Sequence, residues 1–265
     1  MKCPLYRDDE YNSLTTNTRI KMILKFEEIA LNAWPALETI QLDGWVIRYA
    51  NGVTKRSNSV NPIYVSSQNV DEKIDFCEKF YRSKAIPVCF KITEIAQPSG
   101  LDEILETRGY AHKFDVLIQT LDISKFTGDI DKNIHVLENT DDLWLDQYIK
   151  MNGSKPADKP VYKQIIDNIQ FPKCLFALTL NDVVIGCGLG VVEDKYLGLF
   201  DIVIDPQYRN QGFGKLLVEN ILKWGKNKGA DAAYLQVLAD NAPAIRLYEK
   251  VGFKEAYRYW YRIKS

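Results

Sequence analysis

The chain has 265 residues, 46% of them hydrophobic, with 34 basic and 35 acidic side chains and a net charge of −1. At roughly 150 residues per domain this is about 1.8 domains, so two modest domains or one with a large extension both fit. Nucleic-acid binders usually carry a basic excess, which is absent here, and two histidines, His112 and His135, exclude a multi-histidine metal site.

Residues 1–19 are polar and read as a loose lead-in without the apolar run of a signal peptide. Ile23, Phe26, Ala30 and Ala33 then share one helical face. Trp34-Pro35 ends that helix, because the residue before a proline avoids the helical region. Strands are expected at Gly44–Tyr49 and around Thr54–Val60, a helix over 70–84 and a buried strand over Ile86–Ile92. A short helix over Leu101–Thr107 is closed by Gly109, and His112–Leu121 reads as a strand. Residues 122–134 are polar and read as a linker.

Helices are predicted at 141–151 and 158–168. A meander follows over Cys174–Leu180, Val183–Val192 and Tyr196–Ile204. Phe213–Lys228 reads as a long helix, Tyr234–Leu238 as a strand, Pro243–Lys250 as a helix and Ala256–Ile263 as a last strand. The longest uncharged apolar stretch, Val183–Val192, is about half of what a membrane helix needs. No membrane partner and a cytoplasmic location are the expectation. Cys3, Cys77, Cys89, Cys174 and Cys187 form no Cys-x-x-Cys pair and read as reduced core thiols, with no metal expected. No Gly-x-Ser-x-Gly elbow anchors serine-hydrolase chemistry.

The order of elements implies an α+β fold. It also repeats. Arg108-Gly109-Tyr110 aligns with Val251-Gly252-Phe253, each after a short helix and before a last strand. Asn61-Pro62 aligns with Asp205-Pro206. The expectation is two copies of one fold, 1–125 and 126–265, each a mixed, mostly antiparallel sheet flanked by helices. The copies differ in content. The first has no glycine from Ile63 to Asn69, and Leu105 stands where the second has Tyr248.

The second copy carries Arg209-Asn210-Gln211-Gly212-Phe213-Gly214 between a strand ending in Asp205-Pro206 and a long helix. Strand, glycine loop and helix start make an anion site, because the first helical N–H groups lack internal partners and the dipole is positive there. Arg209 and Lys215 add charge. The dinucleotide and P-loop fingerprints both fail, for want of a third glycine and of Gly-Lys-Ser/Thr. Gly186-x-Gly188-x-Gly190 sits within a hairpin strand and reads as a bulge or close-contact device.

Arg-x-x-Gly-x-Gly after Asp-Pro, followed by Asn241-Ala242-Pro243-Ala244, Leu247-Tyr248-Glu249 and Gly252-Phe253, resembles the GNAT superfamily of acetyl-CoA-dependent N-acetyltransferases. The resemblance covers roughly 135–265, and the first half resembles a degenerate second GNAT-like copy. It implies acetyl transfer from acetyl-CoA to a primary amine on a small-molecule or peptide acceptor. It also implies that Ile202, Val203 and Ile204 offer backbone groups to the pantetheine arm, that Asn210, Gln211, Gly212, Phe213, Gly214 and Lys215 cradle the pyrophosphate, and that Tyr248 is the general acid. Asn241 would cap the last helix and touch the cofactor.

Where several family members place a carboxylate base, this chain has Gln236. Asp201, on the strand face of Val203, is either the substitute base or a structural aspartate. The missing base leaves a second reading open, an acyl-CoA sensor or scaffold without turnover. Tyr257, Tyr259 and Tyr261 share one face of the last strand, either core or acceptor wall. Trp45, Arg48, Arg56 and Asn58 reach the acceptor if the copies pack face to face.

Overall fold

The computed structural model describes residues 8–265. Helix α1 (Asp8–Ala33) leads into β1 (Glu38–Leu42), β2 (Trp45–Tyr49), a 3-10 turn (Lys55–Ser57) and β3 (Val60–Asn61). Then come α2 (Val70–Ser83), β4 (Val88–Thr93), α3 (Leu101–Thr107) and β5 (Ala111–Asp122). The second half runs β6 (Ile134–Leu137), α4 (Asp142–Asn152), α5 (Lys159–Asp167), β7 (Lys173–Leu180), β8 (Val183–Glu193) and β9 (Tyr196–Ile204). It ends with α6 (Phe213–Asn227), β10 (Ala232–Leu238), α7 (Ala242–Val251) and β11 (Lys254–Lys264).

The later elements match expectation within two residues or so, because hydrophobic period, caps and glycine stops agree there. Most of the differences lie in the first half. The polar stretch 8–19 is helical, a long N-terminal extension of the helix that carries Ile23, while residues 1–7, with Cys3, lie outside the described residues. Residues 54–59 form a turn rather than a strand, with Thr54 at φ +59, and only Val60 of the expected segment joins the sheet, in β3. β1 and β6, at the two sheet edges, had no sequence signal strong enough to be read.

The described strands form one eleven-stranded sheet, in the order β1-β2-β3-β4-β11-β5-β10-β9-β8-β7-β6, instead of one sheet per half. The last strand of each half crosses over. β11 lies antiparallel between β4 and β5, and β5 lies antiparallel between β11 and β10. Each crossing strand covers an edge whose N–H and C=O groups would otherwise lack partners. Residues 123–133, between β5 and β6, are irregular yet anchored: Ile123 is fully buried and its N–H donates to the Asp231 carbonyl at 3.0 Å.

Side-chain alternation along the strands sorts the core into two faces. Cys89, Val116, Ile118, Phe200 and Tyr259 meet α1, α4 and α5. Phe90, Leu117 and Leu199 face the other way, toward α2 and α3 in one half and α6 and α7 in the other. α1 is pinned across the sheet centre by buried Glu27, which accepts from Lys91 Nζ at 2.6 Å and the Tyr257 hydroxyl at 2.8 Å. The Gly186–Gly190 series is a close-contact device: a Cβ at Gly188 would stand 2.8 Å from Ile221 and 2.9 Å from Ile202. No described helix is long and apolar enough to cross a membrane.

Candidate active site

The site begins with a break in sheet pairing. β10 runs parallel to β9 only from Ala232 opposite Tyr196 to Leu235 opposite Leu199. Beyond that point both strands continue, unpaired with each other. The cause lies one strand over. Phe200 pairs with Leu189 and Val203 with Cys187, so Asp201 and Ile202 together oppose Gly188. This bulge, with Asp201 at φ +52, bends β9 away from β10 and increases its local twist. It also turns two successive side chains, Phe200 and Asp201, toward the α1 and α4 face, which Val203 shares.

Two adjoining cavities occupy the splayed region. The first, of about 650 Å³, runs along Ile202–Ile204 and the starts of α6 and α7. Its loop is shaped by Asn210 at φ +61 and Gly212 at φ +89, a conformation that glycine adopts freely. Gly212 caps α6 without a side-chain bond, and the first turn carries no acid. Among the described residues, the N–H groups of Phe213, Gly214 and Lys215 have no acceptor, the first helical bond being Leu216 N–H to the Gly212 carbonyl. Arg209 folds back, its Nε donating to the Ile204 carbonyl at 3.0 Å. Gln211 and Phe213 stand off the wall: Gln211 bonds the Gln207 carbonyl and Phe213 packs edge-on against Tyr208. Arg246 and Lys250, on α7, face this groove and add positive charge that the motif did not reveal. The groove thus joins unpaired strand backbone, a free helix start and cationic side chains, features that suit a pyrophosphate with an extended amide arm.

The second cavity, of about 450 Å³, has walls from both halves of the chain. It shares Ile202, Asn241, Ala244 and Tyr248 with the groove. Asn241 caps α7, its side chain accepting from the Ala244 N–H at 3.3 Å. Tyr248, one α7 turn further, is 8% exposed, and burial alone pushes its phenol up to about 12. A proton on that hydroxyl therefore stays in place at neutral pH.

Asp201 lines the same cavity. Its side chain is 2% exposed, and its Oδ1 pairs with Arg56 Nη2 at 2.9 Å. Burial raises the Asp201 carboxyl above its ordinary range, more than Arg56 and the neighbouring Tyr148 lower it. Its Oδ2 is buried without a hydrogen-bond partner. Tyr148, Tyr162 and Phe114, which sequence reasoning missed, also line this space. Nothing local marks them; they converge only through the sheet.

Of the four first-half residues expected near the acceptor, Arg56 alone lines this cavity. Trp45 is core, its Nε1 donating to the Gln97 carbonyl. Asn58 binds the backbone of the 50–54 loop. Arg48 is buried and donates to the carbonyls of Leu31, Trp34 and Arg56. Tyr259 and Tyr261 reach the cavity wall, while Tyr257 is spent on Glu27. Gln236 accepts from the Tyr259 hydroxyl at 2.7 Å.

Comparison with known proteins bears on this arrangement. Residues 21–262 match the family described as probable histone acetyltransferase Rv0428c C-terminal. The chain is 32% identical over 254 residues to the uncharacterized N-acetyltransferase YobR of Bacillus subtilis, covering 91% of this chain and 98% of that protein. It is 28% identical over 239 residues to the probable histone acetyltransferase Rv0428c of Mycobacterium tuberculosis, covering 89% and 72%. Among solved structures, a GCN5-related N-acetyltransferase from Kribbella flavida superposes with a TM-score of 0.67 at 13% identity, covering 91% and 95%, a likeness of fold.

Proposed function

Because the chain belongs to the GNAT-type N-acetyltransferases, within the family of the Rv0428c C-terminal region, we propose that it moves an acetyl group from acetyl-CoA to a primary amine. It is an acyltransferase. The observation that carries the specific reading is the splay of β9 from β10 beyond Leu199 and Leu235, which joins a helix-start groove to a second cavity at Tyr248.

Bound acetyl-CoA supplies the activated acetyl thioester. The backbone of Ile202, Val203 and Ile204, on the side that β10 leaves unpaired, holds its amide arm, and an N–H of that strand stabilises negative charge developing on the carbonyl oxygen. The N–H groups at the start of α6, with Asn210, Gly212, Gly214 and Lys215, bind the pyrophosphate. Arg209, Gln211 and Phe213 brace that loop. Asn241 orients α7. Tyr248, whose phenol burial pushes up to about 12, keeps its proton at neutral pH and gives it to the departing sulfur as the carbon–sulfur bond breaks. Asp201 accepts the proton of the attacking amine.

The first half supports the acceptor side. We read it as a degenerate copy of the second, 1–125 against 126–265, with the final strands exchanged. The succession of helix, strand, short helix and crossing strand on both sides of the sheet supports that reading.

The test is a panel of amines (alkylamines, amino acids, aminoglycosides and peptide N-termini) assayed for CoA release as free thiol. At least one should release CoA well above the hydrolysis background. Tight acetyl-CoA binding with no release across the panel would overturn transfer and favour a sensor.

A further inference from the structure

We propose that Arg56 is a positioning residue, supplied by the first half of the chain, that fixes the Asp201 carboxylate so that Oδ2 is the atom presented to the incoming amine. The inference rests on the acetyl-transfer reading and extends it to a residue outside the catalytic half.

The arrangement around Arg56 is rigid from both sides. Its guanidinium lies over the Trp34 ring at 4.2 Å and 5.7 Å from the Phe200 ring, which stacks beside Trp34. Its carbonyl accepts from Arg48 Nη1 at 2.6 Å, and Arg48 is itself clamped by carbonyls at the end of α1. Trp34 Nε1 donates to Thr54 Oγ1 at 3.2 Å, and Thr54 bonds Ser57 at 3.0 Å, which closes the turn beneath Arg56. Burial opposes the Arg56 charge, but the Asp201 carboxylate outweighs it and keeps the guanidinium protonated.

A guanidinium facing a carboxylate commonly takes both oxygens in a fork. Here it takes Oδ1 alone. Oδ2 is left without a hydrogen-bond partner within normal distance on a residue that lines the cavity, with the Tyr148 hydroxyl close enough to favour the charged carboxylate. The bulge at Asp201 sets this one-sided pairing, because it points Asp201 at the end of the Arg56 side chain. In the step that follows, the amine N–H bond breaks with its electron pair left on nitrogen, and an O–H bond forms at Oδ2. The other titratable groups facing Asp201 are Tyr148 from α4, Tyr162 from α5 and Cys187 from β8. Arg56 is the one cation among these partners, so its loss should make Asp201 harder to ionise.

Two measurements on the full chain test this. The first is the pH profile of kcat/KM for CoA release, with the best amine of the panel, in wild type, Arg56→Met and Arg56→Lys. In Arg56→Met the acid limb should move up by about one pH unit or more. Arg56→Lys should restore at least half of that shift, and acetyl-CoA affinity should stay within about twofold in all three as a check of folding. Should the Met variant lose acetyl-CoA binding, Arg56→Gln takes its place. The second needs no acceptor: carbon-13 NMR of carboxyl-labelled aspartates, with the Asp201 signal identified by its loss in Asp201→Asn. Its midpoint should rise by about one unit in Arg56→Met. An unmoved Asp201 midpoint, or a uniform fall in kcat/KM with an unmoved acid limb, overturns the proposal. If wild type releases no CoA with any amine, the transfer reading fails, and the NMR midpoint still decides whether Arg56 governs Asp201.

Discussion

At the start of α6, Gly212 offers no capping side chain, the first turn carries no acid, and three backbone N–H groups have no acceptor among the described residues. At the start of α2, the same needs are met from within the chain. Asn69 Oδ1 accepts from the N–H groups of Asp71 and Glu72, at 2.9 and 3.2 Å. Just before it, the Asp43 carboxylate accepts from the N–H groups of Ser67 and Gln68 and from the hydroxyls of Ser66 and Ser67. Buried Lys73 closes the knot, 3.1 Å from Asp43 Oδ2 and 4.1 Å from the centre of the Trp45 ring. A helix start favours an anion. The two regions show two ways of answering that preference, with an external anion in a groove or with an internal carboxylate in a knot. The contrast continues along the chain, where Tyr248 borders a cavity while Leu105, at the matching place, is fully buried core.

Five experiments test this contrast. Tyr248→Phe should lower kcat on the order of 100-fold, with acetyl-CoA affinity unchanged by calorimetry. Unchanged turnover would remove Tyr248 as the proton donor. Calorimetry should also give one acetyl-CoA per chain, since α2 is closed; two would end the contrast outright. Gly212→Asp copies the Asp43 device onto the open loop. At φ +89 the new side chain is strained, and its charge repels a phosphate, so affinity should fall about 30-fold, roughly 2 kcal/mol. Space is not the obstacle, because a Cβ there meets nothing within 4 Å.

Asp43→Ala should lower Tm by about 5 °C in a thermal melt, because it leaves Lys73 buried without its carboxylate. It should not create a second acetyl-CoA site. The smallest effect is in acid. Hydrogen bonding from the Gln68 N–H, with help from Ser67 and Lys73, holds the Asp43 carboxyl well below the usual carboxylate range. A depressed folded value means a stabilisation complete above the ordinary carboxylate pKa and lost as pH falls below about 4. Asp43→Asn should therefore show a shallower loss of stability between about pH 4 and pH 2 than wild type.

Much of the second half was legible from residues alone. The Asp205–Gly214 run, the α7 cap at Asn241 and the glycine stops are local signals, and each element they mark is present. Asp201 was legible as a candidate because it lies on the strand that leads into the loop. Arg56 could be suspected, but its partner could not: 145 residues separate it from Asp201. Tyr148, Tyr162, Phe114, Arg246 and Lys250 carry no signature, since a tyrosine on an apolar helix face and a lysine on an exposed one read as core and solvent.

By itself the sequence determined the period of each strand and helix, the open anion loop before α6 and the tyrosine on α7, because these depend on neighbours a few residues away. The tertiary structure decided how the halves meet. It merged two expected sheets into one by exchanging β5 and β11, since a free sheet edge is satisfied by whichever strand can pair with it. It also splayed β9 from β10 through a bulge that no residue pattern announces, and brought Arg56 to Asp201 across that gap. Pairing partners and register are set by long-range hydrogen bonding and burial, which a linear pattern constrains only weakly.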